Sequence, residues 1–97
     1  MPKFNNSRYS TRGISSTLPL MLQIILWGLI DTMEVVEKDY LQIFTLASEN
    51  GKQKIVHEQE QPEYRKEYLF PADEPVNAKI FVIDDETHST MLLAEEY

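Results

Sequence analysis

The sequence predicts an α+β fold: one long N-terminal helix packed on a mainly antiparallel sheet of about five strands, in the order β-α-β-β-β-β. Three observations predict it. A charge-free apolar run, Leu18 to Ile30, has helical periodicity and follows three hydroxyl residues. Everything after Asp39 alternates or is β-branched and aromatic, with helical spacing nowhere. An Asn50-Gly51 pair sits between two such segments, the strongest short hairpin signal.

The elements follow in order. Residues 1–6 read as a loose terminus to a single domain spanning 1–97. Arg8–Arg12 is short, aromatic and hydroxyl-bearing, and ends at Gly13, so it reads as a strand. Ser15, Ser16 and Thr17 offer N-cap hydroxyls, and Pro19 suits a first helical turn. The helix is expected from Leu18 to Lys38, about 30 Å long. Its core face would hold Leu18, Met21, Leu22, Ile25, Leu26, Leu29, Met33 and Val36. Leu20, Ile24 and Trp27 form a second stripe at i, i+4, i+7, and a helix with two apolar stripes wants two partners.

Strands are expected at 40–47, 52–59, 63–70, 79–84 and 89–95. Three of them, 40–47, 79–84 and 89–95, are apolar on both faces, and such a sheet is covered on both sides or curls on itself. One helix about 10 Å wide covers about two strands at 4.8 Å spacing. A second copy would supply the missing cover, so a homodimer is expected, with Leu20, Ile24 and Trp27 at the interface.

Composition excludes more than it assigns. With 97 residues the chain carries one core and little material for a cleft. No cysteine means no disulfide, no thiol nucleophile and no thiolate zinc site. Three glycines are too few for Gly-rich phosphate loops. Net charge is −7, with +3 on residues 1–30 and −10 on 31–97. An acidic body repels phosphate backbones, which makes nucleic acid an unfavoured partner. The basic start and apolar run imitate a signal peptide, but thirteen residues cannot span a bilayer and no small-x-small cleavage site follows Ile30. The run therefore reads as a core helix of a cytoplasmic protein, with no membrane partner.

No catalytic constellation emerges, and no cofactor is implied. Asp84, Asp85, Glu86 and His88 share one turn but lack the spacing of a metal cage, and read as a solvated polar turn. His57 and Glu58 point to opposite sides of a strand, leaving His57 as an exposed strand histidine. Glu58 and Glu60 share a face but not a pocket, and Ser89 has no nucleophile elbow. The better hint is a possible binding face of Tyr64, Arg65 and Tyr68 with the arm residues Arg8 and Arg12, since aromatics interleaved with bases stack single-stranded nucleotides.

Several segments resemble a known family. Arg8-Tyr-Ser-Thr-Arg-Gly13 is similar to its opening. Leu18-Pro-Leu-Met-Leu-Gln23 with Leu26-Trp27 is similar to its helix. Asp39–Phe44, Pro62–Tyr64 and Ser89–Tyr97 also resemble it. The family is domain of unknown function 960, short Gram-positive bacterial and phage proteins. The resemblance spans essentially the whole chain and implies a single-domain bacterial or phage-related protein. It transfers no active-site residue. The leading expectation is a non-catalytic acidic protein-interaction or regulatory module. The alternatives are a nucleic-acid-associated protein and a small-ligand binder.

Overall fold

The computed structural model describes residues 3–97, and the elements run β1 (Ser7–Ser10), α1 (Arg12–Thr17), α2 (Leu20–Thr32), β2 (Leu41–Glu49), β3 (Lys52–Gln59), β4 (Tyr64–Pro71), β5 (Ala78–Asp84) and β6 (His88–Leu93), closed by a 3₁₀ turn at Ala94–Glu96. All six strands join one mixed sheet in the order β1-β6-β5-β2-β3-β4. Only the edge pair β1–β6 is parallel. The count is thus six strands rather than about five: five strands, not the four of the expected order, follow the helices, and all join the opening strand in one sheet.

The helical region departs most from expectation. No single helix runs from Leu18 to Lys38. Pro19 lacks an N–H and sits in extended geometry as the N-cap of α2, so the chain makes a separate short helix before it. That helix is capped by Thr11, whose hydroxyl accepts from the Ile14 amide at 3.2 Å; Ser15, Ser16 and Thr17, expected to cap the long helix, lie inside α1, and α2 has no side-chain cap. At the other end the Thr32 hydroxyl donates to the Gly28 carbonyl, and Val35-Val36 follows with poor helix propensity. Helix α2 stops there. Val36, expected in the core, is fully exposed, and Met21 is 67% exposed. The buried line is Leu22, Leu26 and Ile30, each one turn apart.

These residues pack on the inner face of the sheet with Phe44, Leu46, Ile55, Ile80, Val82 and Met91. Ile14 of α1 and Phe4 complete the same core. The loose-terminus reading therefore fails for residues 3–6, while residues 1 and 2 lie outside the described region. Phe4 is 1% exposed, and its amide donates to Asp84 at 2.6 Å.

Turns follow their chemistry. Asn50 and Gly51 have φ of 53° and 74°, the left-handed pair that a two-residue hairpin between Glu49 and Lys52 requires. Gly13 serves a different need. A Cβ there would meet the Glu96 carboxylate at 2.5 Å. That carboxylate accepts from the Thr11 hydroxyl at 2.7 Å and the Leu93 amide at 2.8 Å, pinning the C-terminal turn to the start of α1. These contacts hold its pKa below the usual range.

Among the described residues no helix is long and apolar enough to cross a membrane.

Candidate functional site

The residues proposed as one binding face do not converge. Alternation along β4 puts Tyr64, Tyr68 and Phe70 on the inner side and Arg65 on the outer one. Tyr64 packs edge-on against the His57 ring at 5.3 Å, and burial above all keeps its phenol protonated, with a pKa pushed up to about 12. Arg65 pairs with Glu67 and Glu58 on the outer face. Arg8 is engaged elsewhere. Its guanidinium makes a two-point pair with Asp31 at 2.5 and 3.1 Å, donates to the Phe4 carbonyl at 3.0 Å and lies 4.8 Å over the Trp27 ring. The Arg8 hydrogen bond is the main reason the Asp31 carboxyl stays below the usual carboxylate range. Arg12 is exposed on α1.

The same contacts divide the second helix stripe. Trp27 is half-buried against its own core under Arg8, whereas Leu20 and Ile24 are 70% and 54% exposed. The arm of its own chain accounts for the Trp27 cover.

Sequence reasoning missed a buried polar relay. His57 is not an exposed strand histidine: its side chain is fully buried, stacked on Phe44 at 4.3 Å. Its partners fix its chemistry. The Asp39 amide donates to Gln59 Oε1 at 2.8 Å, so that atom is an acceptor. Gln42 Nε2 therefore donates to it at 2.7 Å, and also to the Asp39 carbonyl at 3.0 Å. Gln42 Oε1 is left facing His57 Nε2 at 2.6 Å, so Nε2 carries the proton. Nδ1 is a bare lone pair, buried with no protein partner. Protonating it would place a charge in a dry site, and this burial, with the charge of Lys38, lowers the pKa to about 4. The sequence signal was there in principle: Gln53, His57 and Gln59 share the strand face of Ile55. The adjacent Val56, apolar on the other face, hid that phase.

The acidic turn also splits. Asp84 is not merely a solvated turn residue; it is 6% exposed and accepts from the Phe4 amide, the Asn6 side chain and the Glu86 amide. Burial raises its pKa, and the three hydrogen bonds together outweigh that and leave it lowered. Asp85 is exposed and accepts from Thr87 and His88 in the turn. Among the described residues, no group of three His, Asp or Glu is arranged to hold a metal ion.

Two apolar features remain open. A pocket of about 170 Å³ lies between the start of α2, the ends of β3 and β4, and the 71–77 connection. The outer sheet face carries Leu41, Ile43, Phe81 and Ile83, all half-buried, with Val56 and Leu92 more deeply placed. None of these six belongs to the core that the helices cover.

The model of a family described as a staphylococcal protein of unknown function, DUF960, matches residues 7–96. The chain belongs to the DUF960 family. A crystal structure of a protein of unknown function from Enterococcus faecalis is similar to it throughout. The two are 30% identical with a TM-score of 0.86, over 100% of this chain and 97% of that one. No curated protein matches the DUF960 chain described here.

Proposed function

We propose that this DUF960 protein is a non-catalytic interaction module of the cytoplasm that works as a homodimer, pairing through the outer face of its sheet. The observation that carries this reading is the make-up of that face. It is apolar across β2, β5 and β6, where the Tyr97 ring, 5.6 Å from Phe81, and the Lys79 ammonium, 6.0 Å from the same ring, reach over it. Its charges are balanced in a strongly acidic chain. The outward positions of β2 to β5 hold four bases (Lys52, Lys54, Arg65, Lys79) against three acids (Glu49, Glu58, Glu67). Lys54 bridges Glu49 and Glu67 at 3.3 Å each. Two copies can therefore meet here without the like-charge repulsion that a net charge of −7 produces elsewhere. Six strands averaging seven residues give a face of about 29 by 23 Å, about 670 Å² and at the lower end of the roughly 600–1,000 Å² per partner of a stable interface.

Light scattering after gel filtration tests it. The expected mass is twice 11.3 kDa. Phe81→Lys should give a folded monomer, because Phe81 is only half-buried and lies outside the core. A wild-type monomer at tens of micromolar, by the order expected for a working dimer, would sink the proposal.

A further inference from the structure

The pocket beside α2 lies on the opposite side of the sheet from the proposed dimer face. We infer that it receives one large apolar side chain from a basic segment of another protein. Its size sets the class of occupant. At about 170 Å³ it is well below the roughly 300 Å³ where sites for cofactors and drug-sized molecules begin. It matches a cavity of about 150 Å³ that holds one benzene, and so a single Phe, Leu or Met side chain.

Its walls are Leu22, Ile25, Phe70 and Val76, with Met21 at the mouth. The buried polar group in the wall, Gln53, has no capacity left. Its Nε2 donates to the Ala47, Lys54 and Val76 carbonyls, and its Oε1 accepts from the Val76 amide at 2.7 Å. Below the Glu74 rim no free polar side chain lines the pocket to orient a small ligand, so shape selects the anchor. The two bonds to Val76 tie the 71–77 connection to β3 beside the helix.

The surroundings extend the site beyond one side chain. Leu20, Met21 and Ile24 form an exposed apolar ledge on the first turns of α2, 54–70% exposed, continuous with the mouth at Met21. Glu74 lines the opposite rim, and Asp73 beside it is exposed. Lys52, at the Pro71 end of β3, is on the outer face, and α2 carries no charge before Asp31. An acidic rim with an apolar ledge suits a segment with one anchor and flanking lysine or arginine. A second copy of this chain, at −7, fits the rim poorly.

The test is an amide-resolved NMR titration of the full chain with short lysine-rich amphipathic peptides. One carries a single phenylalanine, one has alanine in its place, and one has glutamate for every lysine; octanoate is titrated alongside. Saturable shifts are expected at Met21, Ile25, Phe70 and Val76 with the phenylalanine peptide. Binding should weaken about tenfold for the alanine peptide, as loss of a buried anchor does, and several-fold for the glutamate peptide. Glu74→Lys, a surface change that spares the fold, should weaken the lysine-rich peptide and strengthen the glutamate one. Shifts elsewhere, equal binding of the alanine peptide, or indifference to Glu74→Lys would each overturn the inference. Tighter binding of octanoate than of any peptide would assign the pocket to an acyl chain instead. The monomeric Phe81→Lys variant should bind as the wild type does, which separates this site from the dimer proposal.

Discussion

Two polar clusters sit at the same end of the sheet, each built around a histidine and an aspartate. In the Asp84–His88 turn, His88 is exposed beside Asp85 at 3.3 Å. In the Asp39–His57 relay, the histidine is sealed behind Phe44 and Tyr64. Residue types are nearly the same, and the physics differs because water reaches one and not the other. In the wet turn a lost bond is replaced by solvent. In the dry relay, donors and acceptors are matched in sequence from a backbone amide through Gln59 and Gln42 to His57 Nε2, and a break has no substitute. Asp84 is instructive because it belongs to the turn in sequence and to the dry interior in structure.

The sharpest break of this comparison is therefore within the turn itself. Asp84→Ala strands the Phe4 and Glu86 amides and should cost about 3–5 kcal/mol, measured by urea unfolding. Asp85→Ala, one residue on, should cost under about 1 kcal/mol. Equal costs would erase the distinction between dry and wet positions.

Acid should act through the relay next. His57 has a folded-state pKa of about 4 against 6.5 in the unfolded chain. Between those values the unfolded chain binds a proton that the native one refuses, so stability falls as pH drops from about 6.5 to about 4. The shift corresponds to about 3 kcal/mol over that window. Unfolding free energies at a series of pH values check it, and imidazole NMR should show His57 as the Nε2–H tautomer. His57→Phe should flatten this window, and His88→Ala should leave it in place.

A smaller effect is expected from Gln59→Met, which keeps the volume but leaves the Asp39 amide without its acceptor, the Glu37 and Pro62 carbonyls without their donor, and Gln42 Nε2 with the Asp39 carbonyl alone. The cost should be about 2 kcal/mol by the same unfolding measurement. The least effect belongs to His88→Ala, within about 0.5 kcal/mol, because its pair with Asp85 is exposed. A destabilisation above about 1 kcal/mol would mean that the Tyr9 ring, 5.4 Å from His88, contributes packing the exposed pair does not.

The strands were legible because turn chemistry and alternation agree: Asn50-Gly51 sets one hairpin, whose second strand falls at 52–59 as expected, and no boundary shifts by more than two residues. The helix was misjudged where two signals compete. Helical periodicity runs through Pro19 and on to Val36, but a missing N–H and a pair of valines interrupt what the pattern continues. The site was far less legible. Arg8 and Arg65 look available in sequence, and both are paired, Arg8 across 23 residues to Asp31. The Arg65–Glu67 pair lies two residues apart on one strand face, but the Arg8 partner is set by how α2 lies against β1, which pattern alone does not give. His57 was hidden for a simpler reason: Ile55 and Val56 support opposite assignments of which face is buried.

The first and last strands lie side by side, and Glu96 holds the start of α1. During synthesis the opening strand and both helices leave the ribosome long before their neighbour β6 exists. Met91, which pairs with Ser10 and is fully buried, is made long after its partner. The nascent chain therefore holds an incomplete core until β6 has emerged, and folding is expected to wait for that strand rather than accompany synthesis of the helices.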